Sequence, residues 1–190
     1  MRGSLRKAKG LALIELTLMM GMFVGAVAII ADLYTVSQLR SHYDRMSHNL
    51  ASIISIQRYI SAKDLNLLIA RNMPEADIGE YELYIYNVKL DRSMAWRPLR
   101  RGALDGICPE LSTGKNFSAD MPEEDSEDDQ NAVIVVQLCR QSEGLTPFAS
   151  LLSPKTIQVV ASNRAREKII HVDKVLAGEL GIDEDDDSSS

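Results

Sequence analysis

The 190-residue sequence is poor in the side chains that build active sites and metal centres, with only three histidines and two cysteines. It contains no H-E-x-x-H, G-x-S-x-G, Walker or C-x-x-C pattern. His42 and His48 are six residues apart, which places them on different faces of a helix, and His171 is isolated in a strand-like run. We therefore expect no enzymatic activity, no catalytic residue, no cofactor and no metal site.

Positive charge is also scarce. The sequence has 21 Lys and Arg residues and 27 Asp and Glu residues, which gives a net charge of -6. Four of the cations lie within residues 1–10, so the remaining chain is near -10. A surface this acidic repels phosphate backbones, and no basic stripe with interleaved aromatic residues offsets it. Nucleic-acid binding is not expected.

One long apolar run stands out against this background. Residues 11–31 contain a single charged side chain, Glu15, and the only other polar side chain there is Thr17. The run is about as long as a membrane-spanning helix, and the cations before it predict that everything after residue 31 lies outside the cytoplasm. A cleaved secretory signal is the alternative, with small residues for a cut around residues 25–28. That alternative does not account for Glu15, because an acid in lipid is costly.

The segment Lys9-Gly10-Leu11-Ala12-Leu13-Ile14-Glu15-Leu16 resembles the type IV prepilin signature, in which a glycine ends a basic leader and a glutamate is fifth in the mature chain. The resemblance covers about residues 2–40. It implies cleavage by a prepilin peptidase between Gly10 and Leu11, N-methylation of Leu11, and retention of the whole apolar helix. It also implies that Glu15 pairs with the N-terminal amine of a neighbouring subunit during assembly, because a buried carboxylate is costly until it is paired.

Two departures qualify the resemblance: Leu11 stands where many members have Phe, and no proline occurs about twenty residues into the mature helix. These features are closest to type IVb-like or minor pilins. The implied partners are prepilin peptidase, other pilin or pseudopilin subunits and the bacterial inner membrane, with the head in the periplasm before incorporation into a pilus or pseudopilus. The alternative is a monomeric signal-anchored binding module whose acidic head captures a cation or a basic partner. That module would keep residues 1–10.

The predicted fold class is α+β, with a long N-terminal helix packed on an antiparallel sheet. We expect a basic leader over 1–10, a transmembrane helix over 11–31, an amphipathic continuation over 32–62, a pilin-like head over 63–180 and an acidic disordered tail over 181–190. A short helix capped by Asp64 should end near Asn72-Met73-Pro74. Alternating or buried apolar runs predict four strands: 81–90, 132–139, 156–161 and 168–175. The apolar face of the continuation is predicted from side chains three or four residues apart: Val36, Leu39, Tyr43, Met46, Leu50, Ile53 and Ile60.

Cys108 and Cys139 are expected to form a disulfide if the head is exported, and to remain buried thiols if the protein is cytosolic. Four arginines surround Trp96, and seven acids follow in residues 120–130. The two charged segments are expected to be solvated surface, with head-to-tail mating between subunits as the alternative. The acidic clusters lack the spacing of a calcium-binding loop, so no metal site is assigned to them.

Overall fold

The computed structural model describes residues 2–74, 79–119, 132–141, 156–167 and 169–182, with side chains described from residue 13 onward. These residues belong to two compact units. The first contains the chain up to Leu39, and the second contains Arg40–Gln141 and the chain from Thr156 onward. Helix α1, Arg2–Ser55, supplies the first unit and also the first element of the second.

The second unit is built on a four-stranded antiparallel sheet with the strand order β3-β2-β6-β7. These strands are Leu99–Gly102 (β3), Glu82–Val88 (β2), Val133–Gln141 (β6) and Thr156–Arg164 (β7). Strand β6 pairs with β2 over seven residues and with β7 over nine. The remaining described elements are β1 (Tyr59–Ile60), α2 (Ala62–Asn72), β4 (Ser112–Thr113), β5 (Asn116–Phe117), β8 (His171–Val172) and α3 (Lys174–Leu180). A long helix and an antiparallel sheet confirm the α+β class.

The second half of α1 contributes the core on one face of this sheet. Tyr43, Met46 and Leu50 are buried, as the apolar spacing predicts. Tyr43 also receives a hydrogen bond from Arg140 at the end of β6, and the Arg140 guanidinium lies 5.8 Å from the Tyr43 ring centroid. Ile53 is only half-buried, whereas Ser47, Ala51 and Ile54 are buried. The contact face therefore includes small residues that an apolar count overlooks.

The prediction that the long helix continues to residue 62 is wrong, because α1 ends at Ser55. The residues that follow α1 form a strand instead, because Tyr59 and Ile60 pair in parallel with His171 and Val172. An extended backbone at Ser61 then begins α2.

The short helix and the fourth strand also need correction. Ser61, and not Asp64, caps α2, since its Oγ accepts a hydrogen bond from the Asp64 N–H at 3.1 Å. The end of α2 at Asn72 agrees with the prediction. Of the strand predicted over 168–175, only β8 forms, because Asp173 caps a new helix by accepting from the Leu176 N–H at 2.8 Å. Gly181, with a φ of 67°, ends that helix in the left-handed conformation that glycine adopts without strain.

The other face of the sheet is covered by the chain that follows β3, including the β4–β5 hairpin. Tyr86, Val88, Val133 and Val135 form a buried cluster there with Phe117 of the hairpin. The rings of Tyr86 and Phe117 meet edge to face, with centroids 5.4 Å apart. Between the first two predicted strands, the chain therefore contains an edge strand, β3, and a small apolar hairpin, β4–β5, that the sequence pattern does not predict.

Candidate functional site

The most unusual surface among the described residues is the helix of the first unit. Thirteen large apolar side chains between Leu13 and Leu33 are exposed, with exposed fractions from 45% at Ile29 to 68% at Phe23. Burying a side chain of this kind contributes about 1.5–3 kcal/mol, so covering all thirteen is favourable by tens of kcal/mol. A surface of this composition is compatible with a covering of lipid or of other apolar groups.

Within the described residues, this is the one helix that is long and apolar enough to cross a membrane. It contains no proline, and its central hydroxyl is satisfied locally, since Thr17 Oγ1 donates to the Ile14 carbonyl oxygen at 2.9 Å. Such internal pairing satisfies the helical backbone and the single hydroxyl of the run 11–31 without water, as a lipid environment demands.

The sequence-predicted processing and assembly residues all lie on this helix. Gly10 and Leu11 have helical backbones within α1, and the side chain of Leu11 lies outside the described part of the structure. Glu15 is four residues after Leu11, about 6 Å further along the axis. Its carboxylate is exposed among apolar neighbours, and no ion pair involving it occurs among the described residues.

Asp32 lies at the end of the apolar segment and is buried, with an exposed fraction of 6%. Its Oδ2 atom receives no hydrogen bond from the residues that the structure describes. In the sequence, Asp32 is simply the first residue after the apolar run 11–31.

In the second unit, Cys108 and Cys139 are joined by a disulfide with their Cα atoms 5.4 Å apart. The bond ties the chain after β3 to the middle of the sheet. Its neighbour Glu82 is fully buried and stands directly opposite Cys139 in the β2–β6 register.

The Glu82 carboxylate is surrounded by donors. Oε1 accepts from the Gly106 N–H at 3.0 Å, and Oε2 accepts from the N–H groups of Ile107 and Cys108, each at 2.8 Å. Gly106 has a φ of 71°, which lets successive N–H groups converge on one anion. Burial opposes ionisation of Glu82. Those three N–H groups and the Tyr84 hydroxyl outweigh that cost and hold the pKa of Glu82 below its ordinary value.

The arginines around Trp96 are not all free to meet another subunit. Arg100 pairs with Asp105 at 2.7 Å and lies 4.0 Å from Glu82, and Arg101 pairs with Glu179 at 2.5 Å. Two of the four arginines therefore serve contacts within the head. The acidic partner proposed for this patch, residues 120–130, lies outside the described residues, as does the tail from 183 onward.

The described residues contain no group of three or more His, Cys, Asp or Glu side chains arranged to hold a metal ion. His42, His48 and His171 are all exposed. His48 lies 3.9 Å from Asp44 one turn away on α1, which is an exposed contact. Glu82, like Asp32, is a buried acid that the sequence does not predict, because a glutamate at the start of an alternating strand is normally taken as solvent-facing.

Comparison with known proteins gives no matching family model, no matching curated protein and no matching solved structure.

Proposed function

We propose that this chain is a structural subunit of a type IV pilus or a related secretion filament, of the minor pilin or pseudopilin kind. The observation that carries the proposal is the exposed apolar helix of the first unit, with Glu15 as the one charged residue in the run 11–31. In the precursor, the helix anchors the chain in the inner membrane. In the filament, the same surface packs against the helices of neighbouring subunits.

Glu15 supplies the register of that packing. After prepilin peptidase has removed residues 1–10, Leu11 carries a free and then methylated amine one helical turn before Glu15. Away from water, either charge alone is unfavourable, and pairing the amine of one subunit with the carboxylate of the next removes both costs. The pairing selects one axial offset out of the many that a uniformly apolar surface would allow.

The second unit is the head, which the filament displays. The α+β architecture, with the end of a long helix packed on an antiparallel sheet, supports this assignment. The disulfide between Cys108 and Cys139 suits a head that folds in the oxidising periplasm.

Incorporation into filaments tests the proposal. The full-length chain is co-expressed with prepilin peptidase and the other filament subunits, and sheared filaments are probed for it. Glu15→Val should still be processed but should be missing from the filament fraction. Thr17→Val is the matched control, because its hydroxyl is already bonded within its own helix, and it should be incorporated like the wild type.

Normal incorporation of Glu15→Val would refute the pairing of carboxylate and amine. A wild-type chain that stays monomeric and unprocessed would instead identify a signal-anchored binding module and would refute the filament assignment itself.

A further inference from the structure

We infer that Glu82 is a positioning residue for the disulfide: its carboxylate docks the loop 104–109 on the sheet, so that Cys108 stands against Cys139 before the two sulfurs are joined. The inference concerns the folding of the head and does not depend on the proposed filament role.

Glu82 is a direct neighbour of both cysteines of the disulfide. Glu82 and Cys139 are cross-strand partners on β2 and β6, and one of the three N–H groups on the Glu82 carboxylate belongs to Cys108 itself. The Cys108 Sγ atom lies 3.8 Å from the Glu82 carbonyl oxygen. The residue that fixes the backbone of Cys108 is thus the direct neighbour of its partner cysteine.

Further contacts hold the same loop without involving sulfur. The Leu104 N–H donates to the Tyr81 carbonyl oxygen at 3.1 Å, and the Gln137 side chain donates to the Pro109 carbonyl oxygen at 2.9 Å. Arg100 donates to the Leu104 carbonyl oxygen at 3.1 Å and pairs with Asp105. None of these bonds involves a sulfur atom, so the inferred docking of the loop rests on polar contacts centred on Glu82.

The consequence is a preorganised exchange reaction with an external disulfide such as oxidised glutathione. Cys108 is half-buried and Cys139 is fully buried, so the Cys108 thiolate attacks first, forming a mixed disulfide and releasing one glutathione thiolate. The Cys139 thiolate then attacks the Cys108 sulfur and releases the second glutathione thiolate. Two electrons pass from the cysteine pair to the oxidant. The second step depends on how much of the time the loop is docked.

The test is the redox equilibrium of the pair in the full-length, detergent-solubilised chain. These are the only two cysteines of the protein, so equilibration in glutathione buffers reads this bond alone. Glu82→Gln keeps the shape but removes the charge that the three N–H groups bind, and it should lower the effective concentration of the two thiols at least about tenfold. Leu50→Ala is the control, because it destabilises the head through α1, away from the loop, and it should leave the value within about twofold while the head stays folded.

A wild-type effective concentration in Glu82→Gln would overturn the inference, and so would an equal fall in both variants, which would indicate general loosening. If Glu82→Gln does not fold, amide hydrogen exchange on the reduced wild type decides. Protection of the amides of residues 106–108 that survives reduction supports docking by Glu82. Protection that disappears with the disulfide shows that the bond holds the loop, and the inference fails.

Discussion

Replacing Glu82 by glutamine should destabilise the head more at neutral pH than in acid. The variant retains the size of the side chain and removes its charge. Three backbone N–H groups and the Tyr84 hydroxyl then face a neutral amide, one end of which is itself a donor. Glu82 itself is fully buried, so its side-chain amide cannot turn to the solvent.

The expected loss follows from the number and kind of these bonds. A hydrogen bond to a charged group contributes about 1.5–3 kcal/mol, and leaving buried donors without an acceptor adds to the cost. The expense of burying the carboxylate partly offsets this gain in the wild type. We therefore expect Glu82→Gln to lower the free energy of unfolding by about 3 kcal/mol at pH 7.

The pH dependence has a definite sign. Because the folded-state pKa of Glu82 lies below its ordinary value of 4.5, the ionised group stabilises the head fully above that value. The contribution decreases below pH 4.5 and is lost as the pH falls through the lower, folded-state pKa. Wild type and Glu82→Gln should therefore converge in stability in strong acid.

Urea unfolding, followed by the fluorescence of Trp96, measures this directly. Trp96 is the single tryptophan of the chain and lies in the head, so the signal does not report on the apolar helix. Glu179→Gln is the matched control, because its pair with Arg101 is partly exposed and should contribute no more than about 1 kcal/mol. A difference between wild type and Glu82→Gln that stays constant from neutral pH into strong acid would contradict the assigned role of the charge.

Two further stability predictions rest on other parts of the head. Asp173 accepts from Leu176 at the start of α3 and from the Ala62 N–H of α2 at 3.1 Å, so Asp173→Ala should cost about 2–3 kcal/mol, against about 1 kcal/mol for the cap variant Ser61→Ala. Equal losses in urea unfolding would show that the second bond contributes nothing. Leu50 is fully buried, so Leu50→Ala should cost about 2–5 kcal/mol, whereas Leu67→Ala, at a half-exposed position on α2, should cost far less. Similar melting temperatures for these two variants would refute the burial of Leu50 in the core of the second unit.

Where the amino-acid pattern is strong and local, it predicts the fold well. The long apolar and then amphipathic helix and three of the four predicted strands lie where periodicity places them. These elements can be predicted because consecutive residues show the burial pattern, which covers one face of α1 and β7 and both faces of β2 and β6. The end of α2 at Asn72 can also be predicted from local sequence, because Pro74 follows two residues later.

The misses arise where a distant segment decides the local structure. The sequence near Ser55 does not predict the end of α1, because the residues that follow pair with His171 and Val172, more than a hundred residues later. Lys174 and Val175 look like a strand, but Asp173 and Gly181 supply both caps of a short helix. Glu82 is taken for a surface residue in the sequence, because its hydrogen-bond donors belong to a loop that begins only after β3. The one usable signal was Asp105-Gly106, a turn sequence placed just before Cys108.

The chemical identity of the mature N-terminus decides whether the chain is processed as a prepilin. The full-length chain is expressed with prepilin peptidase, extracted from the membrane and analysed by N-terminal sequencing and intact mass. We predict a chain shortened by ten residues that begins with N-methylated Leu11. A chain that retains residues 1–10, or one cut within residues 25–28 as a secretory signal would be, contradicts it.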